Sequence, residues 1–178
     1  DSTATTYWNK SGVPDGNNVQ EGGVSAMLAK KTDRKLYTNT ASTLVDFDRD
    51  NIKTSLGIDT GLLCGLLPCT ADKDIDKSLN WARGLDVDDD DKDLNTTEIR
   101  PDVFGDPLHS KPVVVSYSAT DTRILLGTNA GFMHMFKDGG DEVDESWAFM
   151  PAELFNNIPT LRLNDRVDPK VYGVDGTP

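Results

Sequence analysis

Residues 112–150 read PVVVSYSATDTRILLGTNAGFMHMFKDGGDEVDESWAFM, and this stretch decides the predicted fold. It contains four short runs of β-branched, aliphatic and aromatic residues: Pro112–Tyr117, Arg123–Thr128, Phe132–Phe136 and Glu145–Met150. Polar and glycine-containing turns separate these runs. Short apolar runs joined by such turns are typical of antiparallel strands that follow one another along the chain. We therefore expect a four-stranded antiparallel meander here.

Four strands within about 40 residues are what one blade of a β-propeller contains, and a meander from a sandwich or barrel has the same pattern. A propeller ring needs typically 4–8 blades, so a single blade closes nothing. The sequence therefore predicts a mainly β fold, either a partial β-propeller or a meander that packs on a partner. We divide the chain into a lead-in region, 1–100, and the start of a propeller domain, 101–178.

The lead-in region is predicted to be irregular, with short elements, because Gly, Pro and Asn punctuate its beginning. Its clearest element is an amphipathic helix over Asp72–Arg83, where Ile75, Leu79 and Ala82 recur at i, i+4 and i+7. Gly84 suits the stop of that helix. The other predicted elements are short helices at 24–30, 51–56 and 151–157 and short strands at 34–40 and 171–174.

The net charge of the chain argues against some classes of binding partner. Its 178 residues include 30 Asp or Glu and 18 Lys or Arg, which gives a formal charge of −12. This balance argues against nucleic acid and anionic membrane surfaces, because Lys and Arg side chains hold both. The longest apolar run, Leu62–Pro68, is much shorter than the ~20 residues of a membrane-spanning helix. Without an initiator Met or a signal-peptide pattern at its start, we expect the chain to be an internal piece of a longer protein.

Half of the negative charge lies in one segment, Asp86–Glu98, which has seven acidic residues and one Lys. Alternating acids in a tight loop can turn several carboxylates inward, and Ca²⁺ takes 6–8 oxygen ligands. Two ligand registers compete. The first comprises Asp89, Asp91, Asp93, Asn95 and Thr97, and the alternative register begins with Asp86, Asp88 and Asp90. The other interpretation is a solvated acidic linker, extended by its own charge repulsion.

The two cysteines, Cys64 and Cys69, lie close together in a segment that also contains Gly65 and Pro68. Two cysteines supply too few ligands for a structural zinc site. A disulfide that closes a tight loop is one interpretation, and two reduced, partly buried thiols are the other. An oxidised pair would indicate an extracytoplasmic compartment.

We expect no catalytic site in this chain. His134 alternates with phenylalanines along a predicted strand, which indicates a hydrogen-bonded strand residue. Asp106, His109 and Ser110 fall within one short extended segment, where three groups rarely converge on one point. Hydrogen bonds at a turn and at a strand start explain Asp106 and Ser110 more simply. The chain also has no P-loop and no dinucleotide-binding glycine motif.

Four further motifs follow one another along the chain: Gly105–Pro112, Gly127–Phe136, Trp147–Pro151 and Tyr172–Pro178. They match the patterns G-D-x-x-H-S-x-P, G-x-N-D-G-x-x-H-x-F, W-A-F-x-P and Y-x-V-D-G-x-P, with Ala130 in place of the usual Asp. In this order they resemble the opening of the C-terminal propeller of the PilC/PilY family, the tip adhesins and biogenesis factors of bacterial type IV pili. The resemblance extends over most of the chain from about Tyr7 onward.

This resemblance implies a non-enzymatic protein that promotes pilus assembly and binds surfaces. It implies export to the cell surface and the pilus tip of a Gram-negative bacterium, with calcium as the cofactor. The implied partners are pilin and minor pilin subunits and a host or abiotic surface ligand. The family places Gly at the position of Leu94, which favours the register that starts at Asp89. The twelfth position of that register is Arg100, so Glu98 or Asp102 would have to supply a further oxygen.

Two other functions compete with this one. The first is a fragment of a quinoprotein-type propeller dehydrogenase, whose blades also carry Gly- and Trp-containing repeats. Trp147, which follows an acidic, Gly-rich turn, resembles the pattern by which those blades dock. The second is a purely structural component of the cell surface. Quinone binding and dehydrogenase activity would distinguish the first from both other interpretations.

Overall fold

The computed structural model describes residues 4–9, 12, 14–16, 18, 20–55, 63, 72–164, 170–174 and 176–178. The α-helices in this part of the chain are α1 (Gly23–Leu28), α2 (Arg49–Ser55), α3 (Asp72–Arg83) and α4 (Asn157–Leu163), and Ala152–Leu154 forms a 3₁₀ turn. The strands are β1 (Leu36–Asn39), β2 (Leu44–Asp46), β3 (Val113–Ser118), β4 (Asp121–Gly127), β5 (Met133–Asp138) and β6 (Val143–Phe149). None of the described helices has the length and apolar character needed to cross a membrane.

The four predicted strands of residues 112–150 are confirmed as β3 to β6, with ends within two residues of those expected. They form an antiparallel meander in which Leu125 of β4 lies opposite Val113 on one side and Met135 on the other. The turn between β4 and β5 closes where the Thr128 N–H donates to the Phe132 carbonyl. Gly131 in this turn has a φ of +91°, a conformation that favours glycine.

The sheet continues beyond the meander, because two strands of the lead-in region join it. The strand order is β2-β1-β6-β5-β4-β3. Strand β1 is the strand predicted at 34–40, and it pairs parallel to β6, with Leu36 opposite Ala148 and Tyr37 opposite Phe149. Strand β2 completes a hairpin with β1 and was not predicted. The fold is therefore a six-stranded mixed sheet with helices, and the assignment of β3–β6 to a propeller blade stays a prediction.

Helix α3 has the predicted bounds, and Gly84 ends it as expected. Gly84 has a φ of +110°, and its N–H donates to the Trp81 carbonyl while the Leu85 N–H donates to the Asn80 carbonyl. These two bonds form a Schellman motif, in which a left-handed residue closes the last helical turn. The motif turns the chain away from α3 at the point where the acidic segment begins.

Two predicted elements differ from the structure. The helix expected at 151–157 is only a 3₁₀ turn, and a separate helix, α4, starts where the predicted one was to end. The strand expected at 171–174 is wrong, because this segment lies against the turn after β4 instead of joining the sheet. The Val174 N–H donates to the Thr128 carbonyl, and the Asn157 side chain donates to the Tyr172 carbonyl. A turn and a side chain therefore take up backbone groups that a strand would pair in a ladder.

One face of the sheet carries the core. Phe47 packs edge-on against Phe132 and Phe155, with ring centroids 5.7 Å apart in both pairs. Helices α2, α3 and α4 cover this face, and the buried residues they share with the sheet include Leu36, Ile52, Ile75, Leu79, Ala148, Met150 and Ile158. Helix α3 also contacts α4. This packing brings the loop that leaves α3 close to the last turn of α4.

Candidate metal centre

The acidic segment forms a closed loop. Leu85 and Ile99 form an antiparallel bridge at its base, the Asp86 N–H donates to the Glu98 carbonyl at 2.9 Å, and the Arg100 N–H donates to the Gly84 carbonyl at 2.9 Å. The two ends of the segment are thus held side by side. Its thirteen residues therefore fold back on themselves instead of running on as an extended linker.

Short side-chain hydrogen bonds shape the inside of the loop. The backbone N–H groups of Asp93, Asn95 and Thr97 donate to the side-chain oxygens of Asp91, Asp93 and Asn95, respectively, two residues back in each case. These are successive Asx turns, which let a short polar side chain replace a backbone partner. Their repetition keeps alternate side chains in one neighbourhood.

Left-handed backbone bends the loop sharply at Asp89, Lys92 and Leu94, whose φ values are +55°, +64° and +70°. The last of these is the position where the resemblance implies Gly. Its backbone has the conformation that glycine adopts without strain, yet it carries an exposed leucine. The structure therefore supplies a physical reason for a glycine there.

The loop brings carboxylates together in two overlapping groups. In one group, ligand atoms of Asp89, Asp91 and Asp93 all lie within 4.8 Å of one another, and in the other those of Asp86, Asp91 and Glu98 do. Ca²⁺ holds its oxygens at roughly 2.3–2.6 Å, so two ligands of one ion are at most about 5 Å apart. Both groups meet that limit, and Asp91 belongs to both.

The structure thus brings together the three acidic residues of the first predicted register, Asp89, Asp91 and Asp93. Its other members, Asn95 and Thr97, bond mainly to each other, since the Asn95 Oδ1 accepts from the Thr97 N–H and from its hydroxyl at 2.8 Å. The Asn95 amide also donates to the Glu98 Oε2 at 3.2 Å. Asn95 therefore lies beside the second carboxylate group and orients Glu98.

The alternative register is not brought together. The buried Asp86 accepts the Asp90 N–H with both carboxylate oxygens, at 3.0 and 3.1 Å. Asp88 instead faces Arg162 of α4 in an ion pair. Asp86 approaches Asp91 and Glu98 because the Leu85–Ile99 bridge places the two ends of the loop together. Sequence spacing alone indicated Glu98 only as a substitute ligand and did not predict this grouping.

Glu98 lies in the negative electrostatic field of neighbouring carboxylates. Partial desolvation and the charges of Asp93, Asp91 and Asp86 raise the pKa of Glu98 above its usual range. Arg162 has the opposite effect on Asp88, whose pKa its hydrogen bonds lower. A divalent cation would relieve the repulsion at Glu98, whereas Asp88 already has a positive partner.

The donor set of the loop suits a hard cation. The clustered side chains offer only oxygen, and both groups lack the nitrogen and sulfur ligands that zinc favours. Three carboxylates are fewer than the 6–8 oxygens of a calcium site, so backbone carbonyls and water would complete the coordination. The residues present fit a hard divalent cation in charge, ligand type and spacing.

The residues weighed for catalysis have structural contacts. The Ser110 Oγ accepts the Gly127 N–H at 3.0 Å, which is the predicted strand-start bond. The Asp106 carbonyl accepts the Asn129 N–H, and its carboxylate pairs with Lys170. His109 stacks on Tyr172 with ring centroids 5.8 Å apart. The predicted pair Cys64 and Cys69 lies outside the described residues, so the disulfide stays a prediction.

Comparisons of the chain with protein-family models, with curated proteins and with solved structures find no match. The geometry of the acidic loop is therefore the main basis for assigning a function.

Proposed function

We propose that this chain binds calcium through its acidic loop and is part of a type IV pilus tip protein of the PilC/PilY kind. In this role it is a non-enzymatic protein that promotes pilus assembly and attaches cells to surfaces. Its partners are pilin and minor pilin subunits and a host or abiotic surface ligand, and it works outside the cell at the pilus tip.

The observation that carries the calcium part is the convergence of Asp89, Asp91 and Asp93 on one point of a closed loop. Like charges within 4.8 Å of one another are unfavourable unless a cation or water screens them. A disordered linker would have spread these charges apart. The pilus part rests on the four ordered motifs.

Calorimetric titration of the chelator-treated chain with CaCl₂ tests the calcium part. Asp91→Asn is the decisive variant, because Asp91 is the one residue shared by the two carboxylate groups. We expect saturable binding by the wild-type chain and a loss of about tenfold or more in affinity for Asp91→Asn, since ligand charge sets calcium affinity. Asp141→Asn is the matched control, because Asp141 is an exposed acid in the turn before β6.

Two more variants identify the group that binds. Asp93→Asn removes a ligand of the first group only, and Glu98→Gln removes one of the second only. The variant with the larger loss marks the occupied group. Absence of binding heat and of any calcium-dependent thermal shift in the wild-type chain would refute the calcium site. So would an Asp91→Asn affinity equal to that of Asp141→Asn.

The pilus part has its own test. The chain, or a longer protein that contains it, is passed over a size-exclusion column with the pilin and minor pilin subunits of its own organism, with calcium and with chelator. We expect co-elution that calcium changes. Failure to co-elute under both conditions, together with calcium binding by the chain, would reject the pilus assignment and leave the metal site standing.

A further inference from the structure

A buried network of charged and polar side chains joins the lead-in region to the meander. Arg34 donates to both carboxylate oxygens of Glu145, from Nε at 2.7 Å and from Nη2 at 2.9 Å. The other partner of Glu145 is His134, whose Nδ1 lies 2.8 Å from Oε1. The side chains of Arg34, His134 and Glu145 are 4%, 1% and 0% exposed. The group is therefore almost completely buried in the folded chain.

The network connects elements that are far apart in the chain. Arg34 precedes β1, His134 lies on β5 and Glu145 lies on β6. Arg34 also donates from Nη1 to the carbonyl of Arg83, the last residue of α3, at 2.8 Å. The Arg34 guanidinium thus ties the β1–β2 hairpin to both the sheet and a helix end.

The hairpin has a short attachment to the rest of the sheet. Its parallel pairing with β6 comprises two residue pairs, Leu36 with Ala148 and Tyr37 with Phe149. The Ala148 N–H donates to the Lys35 carbonyl and the Met150 N–H to the Tyr37 carbonyl. Strands β4 and β5, in contrast, pair over six residues. Among the described strand pairings, the β1–β6 pairing is therefore a short one. Its buried side-chain contacts include the Arg34–Glu145 ion pair and a hydrogen bond from the Thr38 hydroxyl to the Met150 carbonyl at 2.8 Å.

The surroundings of His134 favour the neutral form of its imidazole. Burial lowers its pKa below the usual value, and this effect outweighs the opposing effect of Glu145, while Arg34 lowers the pKa further. Nδ1–H of the neutral ring donates to Glu145, which leaves Nε2 without a proton. Within the described part of the chain, Nε2 has no hydrogen-bond partner and is buried.

Among the described residues, no hydrogen-bond acceptor is available to a second proton on the His134 ring. The rings of Phe104, Phe132 and Phe136 lie around the imidazole, with centroids 5.3, 6.0 and 5.4 Å away. The charged groups that act on it are Glu145 from β6 and Arg34, while α3 reaches Arg34 only through a backbone carbonyl. A proton on Nε2 would place an unsatisfied N–H and a net positive charge among aromatic rings, which is costly.

We propose that the network of Arg34, Glu145 and His134 is an acid-sensitive latch that holds the β1–β2 hairpin on strand β6. At neutral pH the latch is closed. In acid, His134 takes up a proton from solvent at Nε2, the network opens and the hairpin leaves β6, while β3–β5 stay paired. Because an opened chain has the ordinary histidine pKa of 6.5 and the closed one a lower pKa, closure is fully favoured above pH 6.5 and weakens below it.

Amide hydrogen exchange between pH 7.5 and pH 5, corrected for the intrinsic exchange rate, tests the latch. We expect the protection of the Leu36–Asn39 amides to fall by about tenfold or more in acid, and that of the β4 and β5 amides to change much less. His134→Gln should remove the difference, because a glutamine side chain takes up no proton in this pH range. His109→Gln is the matched control, since His109 is the other histidine of the chain and is exposed.

Three outcomes would overturn the latch. They are β1 protection that stays constant down to pH 5, protection lost equally in β1 and β4, and acid sensitivity of His134→Gln equal to that of the wild type. If His134→Gln does not fold, NMR of the wild-type imidazoles decides. Titration of His134 below pH 6.5 in step with the loss of β1 protection supports the latch, and titration at 6.5 with β1 still protected contradicts it.

Discussion

Asp88 and Arg162 form a two-pronged ion pair between the acidic loop and the last turn of α4, although 74 positions separate them in the chain. Arg162 Nε lies 2.7 Å from Oδ2 of Asp88, and Nη2 lies 2.7 Å from Oδ1. Nη1 of the same guanidinium donates to the Ser78 hydroxyl on α3 at 3.2 Å. One arginine thus holds the loop, α3 and α4 together. It also pairs with Asp88, whose carboxylate is therefore less available to a bound cation.

Replacing this arginine by methionine should destabilise the protein by about 1–2 kcal/mol, between the values of exposed and buried charged pairs. Methionine keeps much of the buried side-chain volume and removes the hydrogen bonds. Urea unfolding of Arg162→Met and wild type at pH 7 measures the difference. Arg49→Met is the control, since its partner Asp76 is 45% exposed, and we expect it to cost less.

The same pair predicts a pH dependence. Arg162 lowers the pKa of Asp88 in the folded protein below 3.8, its ordinary value. A lowered carboxylate pKa stabilises the folded state above the ordinary value, and the gain disappears as the pH falls through the lowered one. The stability difference between wild type and Arg162→Met should therefore shrink below pH 4. A difference that stays constant down to pH 2 would show that lost packing, and not the ion pair, causes it.

Leu94→Gly should raise the free energy of unfolding by about 0.5–1 kcal/mol. A left-handed residue with a side chain costs about 1–2 kcal/mol, and the greater freedom of Gly in the unfolded chain offsets part of this. Leu94 has a φ of +70° and is 89% exposed, so the substitution loses almost no packing. Leu108→Gly is the control, because Leu108 is exposed without a positive φ. A stability loss in both variants would contradict the expectation.

Gly84→Ala should lower the free energy of unfolding by about 1–3 kcal/mol, the usual range for overpacking. A Cβ at Gly84 would lie 2.9 and 3.0 Å from the Cγ atoms of Val103, in addition to the strain of a φ of +110°. Gly140→Ala isolates the strain, because Gly140 has a φ of +86° and nothing within 4 Å of an added Cβ. Thermal unfolding measures the stability loss in each variant. The amount by which the Gly84→Ala loss exceeds the Gly140→Ala loss is the energetic cost of the contact with Val103. Equal losses of stability in the two variants would mean that Val103 moves aside without destabilising the protein, which would contradict the prediction.

The meander was predictable because its signals are local. Strands β3–β6 follow from apolar runs and from turns such as the one at Gly131, which the sequence displays within a few residues of each other. Helix α3 follows from the recurrence of Ile75, Leu79 and Ala82, all buried in the structure, and from the glycine behind it. Each of these patterns reports on the burial of one element's own face.

The parallel pairing of β1 with β6 and the helix α4 were beyond such reasoning. Leu36 and Ala148 pair although they are distant in the chain, and the sequence of a short strand does not indicate which other strand it will pair with. Helix α4 contains Pro159 in its first turn, a position where proline is tolerated because the missing N–H has no partner inside the helix. The packing of α4 on α3 and the core stabilises a segment whose own sequence is a weak helix former.

The sequence by itself determined that seven acids fall within the thirteen residues Asp86–Glu98, since this is a property of neighbouring residues. Only the tertiary structure decided which acids meet. The Leu85–Ile99 bridge joins Asp86 and Glu98 to Asp91, and α4 sets Arg162 against Asp88. The physical reason is that a carboxylate's partner depends on the path of the whole chain, because charges act through space and not along the sequence.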